Sequence, residues 1–317
     1  MRHKLFYLLI RLKTITCVNA ACSPKLLAKV ESLLWAWRST CSNVLSKLPH
    51  RLAPSSDGVY LVLLFWFAPA WALKIDRVIL ATDDHPNYIQ FWPLVAQVWQ
   101  NMGIRPTLAL IGDQDVKVDT SFGDVIRFEP ILDMPTWFYA QNIRLLLPAY
   151  FPDDVCIISD IDMLPLKRSY FVDNMAKVVN PKALVVFRDH KSCTRYPMCY
   201  LAAKGSVFQD LFQLNRIADI PATITEWYNF NIGWETDEIL FYQAVLHWPK
   251  ANQDLVKLGL GGSNRTRICR SNWNYNLAEL KSGLYVDAHL PRPYDQFEDQ
   301  IDRLIKELDL LGSVQNV

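Results

Sequence analysis

"VCIISDIDMLPL" (155–166) is the stretch on which the reading of this chain turns. Four of the five residues from Val155 to Ser159 are apolar; the run then meets Asp160 and Asp162, and Leu164 and Leu166 restore the apolar character. A short apolar run of this kind predicts a buried strand. A carboxylate buried without a partner is costly, so the two acids demand a cation, hydrogen-bond donors or water at the strand end.

The pattern upstream alternates. "DRVILAT" (76–82) reads as a buried strand, followed by a helix from about Tyr88 to Met102 with Pro93 near its first turn and Gly103 as its stop. "PTLALIG" (106–112) and "DVIRF" (124–128) read as two more strands. A helix over 136–147 ("TWFYAQNIRLLL") runs to Pro148, and "VCIIS" follows. The order β-α-β-β-α-β predicts an α/β fold with a mostly parallel sheet flanked by helices. In open parallel sheets ligands bind beyond the carboxyl ends of the strands. Asp83-Asp84 and the Asp160/Asp162 pair both fall at such ends, and two acidic clusters on one rim exceed what a solvated face needs.

An apolar strand ending in D-x-D, preceded by Arg144 and "LLLPAYFPDD" (145–154), resembles the GT-A nucleotide-sugar glycosyltransferases. The likeness is to the glycogenin-like and lipopolysaccharide galactosyltransferase-like group, with its R-x-x-L-P helix before the D-x-D strand. The first strand there also ends in a small residue and an acid, as Thr82 and Asp83 do in "ILATDD". The resemblance covers residues 76 to about 295 and implies a Rossmann-like GT-A domain that moves a sugar from a nucleotide-diphosphate sugar, a UDP-sugar by expectation. The acceptor would be a hydroxyl of a glycan, glycoprotein or lipid.

The chemistry suits these residue types. A diphosphate leaving group gains negative charge as the glycosidic bond breaks, and a divalent cation held by close carboxylates stabilises it as a Lewis acid. The resemblance implies Mn²⁺ or Mg²⁺, with Asp160 facing the ribose and the metal and Asp162 ligating the metal directly. It implies a late histidine on the same ion, here His289 in "SGLYVDAHLPRPYD" (282–295), and a basic clamp on the diphosphate, here Arg292. "HLPRP" is shorter than the group's H-x-x-G-x-x-K-P-W form, and "NFNIGW" (229–234) only partly matches its F-N-x-G segment. Thr82, Asp83, Arg144, Asp160 and Arg292 are the expected donor-binding residues.

Asp237 and Glu238 open a helix predicted from about Thr236. Acids in a first turn favour the helix dipole; the catalytic alternative has them orient donor hydroxyls or act as base toward an acceptor hydroxyl. "GLGGSNRTRICRSNWNYN" (259–276), with Arg265, Arg267 and Arg270, reads either as a loop that closes over the diphosphate or as a basic surface loop. Eleven Trp and 13 Tyr leave room for an aromatic acceptor groove, although most at helical spacing belong to a core.

Residues 1–57 carry nine Lys/Arg against Glu31 and Asp57, and the remainder holds 24 basic and 30 acidic residues. An acidic body is not built to bind nucleic acid by counterion release. "GVYLVLLFWFAPAWAL" (58–73) has no charge and is somewhat shorter than a full bilayer span. It reads as a signal-anchor or signal-like segment between a basic segment (1–57) and a catalytic domain (74–317). That predicts a single-pass membrane protein with a lumenal, Golgi- or ER-like body. A buried core segment, and a cytoplasmic or membrane-associated chain, is the alternative. The sequon Asn264-Arg265-Thr266 suits a lumenal body, as does a disulfide among Cys193, Cys199 and Cys269. Zinc spacing is absent from the sequence.

Two other classes compete. Haloacid-dehalogenase-like phosphatases also write strand–D-x-D, but on their first strand and with Thr or Val where Leu164 stands. A nucleotidylyltransferase needs a Gly-rich basic loop after the first strand, and "TDDHPNY" is not one. A non-catalytic, sugar-binding relative keeps every feature above and differs only in turnover.

Overall fold

The apolar run that ends at Ser159 forms strand β4 (Val155–Ile158), every residue of it buried. In the computed structural model the described residues are 72–188, 194–214, 216–259 and 264–310. β4 sits at the centre of a seven-stranded sheet with β1 (Arg77–Asp83), β2 (Arg105–Ile111), β3 (Asp124–Phe128), β6 (Leu184–Val186), β7 (Leu201–Lys204) and β8 (Leu255–Lys257). The strand order is β3-β2-β1-β4-β7-β6-β8. β3, β2, β1 and β4 are mutually parallel, β7 is antiparallel to both β4 and β6, and β6 pairs parallel with β8. The predicted β-α-β-β-α-β order and mostly parallel sheet are therefore present.

These strands read as continuous apolar runs because both sheet faces are covered. Val78, Leu80, Leu108, Leu110, Val155 and Ile157 pack on one side with Trp92, Trp99 and the helix Tyr294–Leu308. Ile79, Ala109, Ile111, Cys156 and Ile158 face the other, against the helices Thr136–Leu146 and Thr236–His247. Alternation along each strand feeds two separate cores.

The helix expected over 88–102 is divided. Pro86–Ile89 is one short helix and Trp92–Asn101 another, with Pro93 in the first turn of the second. Proline lacks the N–H that an uninterrupted helix requires but is tolerated at a helix start. The helix after β3 stops at Leu146 and continues as a 3₁₀ turn, Leu147–Tyr150, around Pro148.

A second, three-stranded sheet joins β5 (Met163–Pro165), β10 (Asp287–His289) and β9 (Arg267–Ile268). β5 follows the Asp160–Asp162 turn, leaves the main sheet and runs antiparallel to β10, with Met163 opposite His289. The Leu290 N–H donates to the Asp162 carbonyl at 2.8 Å.

The basic segment 1–57 and nearly all of the apolar run 58–73 lie outside the described residues. Leu73, the last residue of that run, is buried and its N–H donates to the Val178 carbonyl at 3.1 Å, so it belongs to the body. Among the described residues no helix is long and apolar enough to cross a membrane. Of the cysteines considered for a disulfide, Cys199 and Cys269 are free thiols, and Cys193 lies outside the described residues.

Candidate active site

The sheet topology gathers side chains at the carboxyl ends of β1 and β4. Asp162, in the turn between β4 and β5, is buried with 7% of its side chain exposed. Its Oδ2 accepts from Arg270 Nη1 at 2.9 Å, lies 3.2 Å from His289 Nε2 and is 3.8 Å from Arg292 Nε. Residues 108 and 127 positions away arrive because β10 pairs with β5 and β9 pairs with β10. The Arg292 guanidinium also covers the Tyr88 ring, 4.4 Å from its centroid.

Asp160, half-buried, has a different partner. Arg144, near the end of the helix Thr136–Leu146, pairs with Asp160 through Nη1 and with Asp237 Oδ2 through Nη2 at 2.7 Å. Side chains on a helix lean toward its N-terminus, which lets Arg144 reach back toward the strand ends. Asp237 is 1% exposed. Its Oδ1 accepts from Gln141 Nε2 at 3.1 Å and from the Glu238 N–H at 2.8 Å. Burial pushes the Asp237 carboxyl above the usual carboxylate range, with Arg144 pulling the other way. Glu238 is pushed up as well, by burial first and then by the Asp237 charge, against Arg195. Arg195 lies 3.4 Å from Glu238 and also pairs with Glu235.

Asp83 and Thr82 are both buried at the end of β1. Asp83 accepts from Thr136 Oγ1 at 2.9 Å and from the His85 N–H at 3.3 Å, and Thr82 donates to the Asp83 carbonyl at 3.0 Å. Asp83 thus ties the start of the helix carrying Arg144 to the sheet, a structural use of a residue expected to meet the donor.

The expected metal ligands can be compared with the donor chemistry. Two carboxylates and an imidazole supply the oxygen and nitrogen donors that Mn²⁺ accepts. Asp162 Oδ2 and His289 Nε2 lie 3.2 Å apart and would be the two atoms to hold such an ion together. Asp160 is engaged by Arg144, and among the described residues no group of three His, Cys, Asp or Glu side chains is gathered to hold a metal ion. Of the three expected ligands, only Asp162 and His289 are brought within 3.2 Å of each other, and Arg270 shares the same carboxylate oxygen.

Of the three loop arginines, only Arg270 reaches this cluster. Arg267 instead pairs with the fully buried Asp287, at 2.9 and 2.8 Å, and Arg188 meets the same carboxylate at 3.0 Å. The Arg267 part of the loop expectation is therefore corrected: a buried carboxylate claims its guanidinium. Sequence reasoning missed Gln141, whose only signal was its place one turn before Arg144, and the roles of Arg195 and Glu235.

No family model matches the sequence, and no curated protein matches it. The structure is similar to that of an active-site mutant of LgtC, at 14% identity and a TM-score of 0.42, over 76% of this chain and 98% of that one. It is similar to galactosyltransferase LgtC in complex with donor and acceptor sugar analogs, at 12% identity and a TM-score of 0.40, over the same shares of the two chains. It is also similar to glycosyltransferase GlyE of Streptococcus pneumoniae, at 13% identity and a TM-score of 0.37, over 75% of this chain and 53% of that one.

Proposed function

We propose that this chain is a metal-dependent glycosyltransferase that moves a sugar from a nucleotide-diphosphate sugar, a UDP-sugar by preference, to a hydroxyl of a glycan-bearing acceptor. The observation that supports it is the pair of charged clusters built on the two aspartates of the turn after β4. Asp162 meets His289 and Arg270 there, while Arg144 links Asp160 to Asp237.

Asp162 and His289 would hold Mn²⁺ or Mg²⁺, which when bound supplies Lewis-acid stabilisation to the departing diphosphate. Arg270 and Arg292, both within 4 Å of Asp162, bring two further positive groups to the place where that negative charge develops. Arg144 fixes the Asp160 carboxylate, leaving it to accept hydrogen bonds from donor hydroxyls. Asp237 is too buried and too well bonded to act as a mobile base. Glu238, one residue on and partly exposed, is the better group to take the acceptor proton. Its raised proton affinity makes it a stronger base than a free glutamate.

A non-catalytic, sugar-binding protein would use the same residues without turnover. A panel of UDP- and GDP-sugars tested for hydrolysis with Mn²⁺ or with EDTA separates the two. The transferase reading expects slow Mn²⁺-dependent hydrolysis of at least one donor, lost in Asp162→Asn. Donor binding without hydrolysis across the panel would favour the binding protein.

A further inference from the structure

We propose that Trp137 and Trp234 form a stacking platform for a sugar ring of an oligosaccharide acceptor, beside Glu238; this rests on the transferase reading above. Trp92 and Trp99 are fully buried and Trp227 and Trp248 nearly so, whereas Trp137 is 38% and Trp234 61% exposed. Their rings lie 5.3 Å apart, inclined by 32°. Two exposed indoles held together beside charged groups present aromatic faces on which a ligand ring can rest.

The platform is coupled to the site through the Gln141 side chain, which bonds to both. Gln141 Nε2 donates to the Trp234 carbonyl at 2.6 Å and to Asp237 Oδ1 at 3.1 Å. Trp137, Gln141 and Arg144 follow one another at helical spacing of four and three residues, so they occupy one face of the same helix. Trp234 immediately precedes Glu235, and Glu238 follows one turn later. The rim is polar: Arg195 pairs with Glu235 and lies 3.4 Å from Glu238.

A pyranose presents a C–H face and an edge of hydroxyls. The face suits an indole, whose π-system attracts the C–H dipoles, and the hydroxyl edge suits carboxylate and guanidinium groups. The arrangement therefore fits a sugar one or two units from the reacting hydroxyl, rather than a flat apolar partner.

The test is binding of lactose, maltotriose, chitotriose and mannotriose to the full chain, followed by calorimetry. At least one should bind the wild type, and Trp234→Ala and Trp137→Ala should each weaken it by about tenfold. Trp234→Phe should keep most of the affinity, since an aromatic face remains. No binding of any of the four, or equal binding by wild type and both alanine variants, overturns the platform. Donor hydrolysis by the wild type is measured in parallel. Trp-dependent saccharide binding without hydrolysis leaves the platform standing and removes the transferase reading. Hydrolysis with Trp-independent binding does the reverse.

Discussion

Arg144 and Asp237 form an ion pair of 2.7 Å, with Asp237 almost wholly buried and Arg144 12% exposed. Arg144 carries its second nitrogen to Asp160, so one guanidinium joins the turn after β4 to the first turn of the helix Thr236–His247. Removing one partner of such a pair leaves a buried charge without compensation.

Arg144→Met should therefore destabilise the protein by about 3 kcal/mol or more, read from urea unfolding. Arg144→Met with Asp237→Asn should recover part of that loss, because the orphaned carboxylate is gone. Arg144→Lys should abolish activity even where it folds, since a single ammonium cannot match the fork that spans both acids. If the single and double variants unfold at the same denaturant concentration, the pair does not bear on stability.

Two carboxylates one residue apart suggest mutual repulsion in the absence of a cation, and hence a turn that tolerates loss of either acid. The contacts say otherwise, because Asp162 faces Arg270, Arg292 and His289 while Asp160 has Arg144. Asp162→Asn should lower stability in EDTA by about 1 to 2 kcal/mol, a figure reduced for the partial exposure of Arg270. Mn²⁺ should raise the melting temperature of the wild type and leave the variant unchanged. Equal melting temperatures for the two proteins in EDTA would restore the repulsion view.

Glu238 gives the pH prediction. Burial and the Asp237 charge raise its pKa above 4.5, and the active base form is the carboxylate. Transfer activity should thus rise with pH along an acid limb placed above the ordinary glutamate range. Glu238→Gln should show residual activity without that limb. The stability sign is opposite. A raised folded-state value favours the protonated form in the fold, so this contribution is full below 4.5 and is lost as pH rises through the shifted value. Urea unfolding from pH 4 upward should show a decline that is shallower in the Gln variant, where the raised Asp237 carboxyl still contributes.

Much of the frame was legible because it rests on local pattern. The first four strands follow apolar runs that alternate between two cores, and Pro148 and Gly103 mark helix ends. The helix break near Gln90 was hidden, since Pro93 is equally compatible with the first turn of one long helix and with a fresh start. Asp160, Asp162 and Arg144 could be picked out because acids at a strand end and a basic residue before Pro148 are sequence-local facts. Their partners were not legible in the residues themselves. His289 comes within reach of Asp162 through antiparallel pairing across more than a hundred residues, and neither segment carries that register in its own pattern. Arg267 and Arg270 look alike in sequence, and only the buried Asp287 separates their roles.

The final prediction concerns the competition for Asp162 Oδ2. Arg270 Nη1 holds that oxygen at 2.9 Å and His289 Nε2 lies 3.2 Å from it, so a cation bound between Asp162 and His289 must displace or share the Arg270 contact. Arg270 is about one third exposed and belongs to a long connection, so it has room to swing out and meet an incoming diphosphate. Arg270→Gln should then tighten Mn²⁺ binding to the donor-free protein, because the ion no longer competes with a guanidinium. The same substitution should weaken binding of UDP in the presence of saturating Mn²⁺, because a positive partner for the diphosphate is lost. His289→Ala should do the opposite to the metal, raising the Mn²⁺ concentration needed for half-saturation. Isothermal titrations of Mn²⁺ into the two variants and the wild type, with and without UDP, read all of these shifts. If Arg270→Gln weakens Mn²⁺ and UDP alike, Arg270 positions the metal carboxylate rather than competing for it. If His289→Ala binds Mn²⁺ as the wild type does, the Asp162–His289 contact is a hydrogen bond of the fold and the ion lies elsewhere.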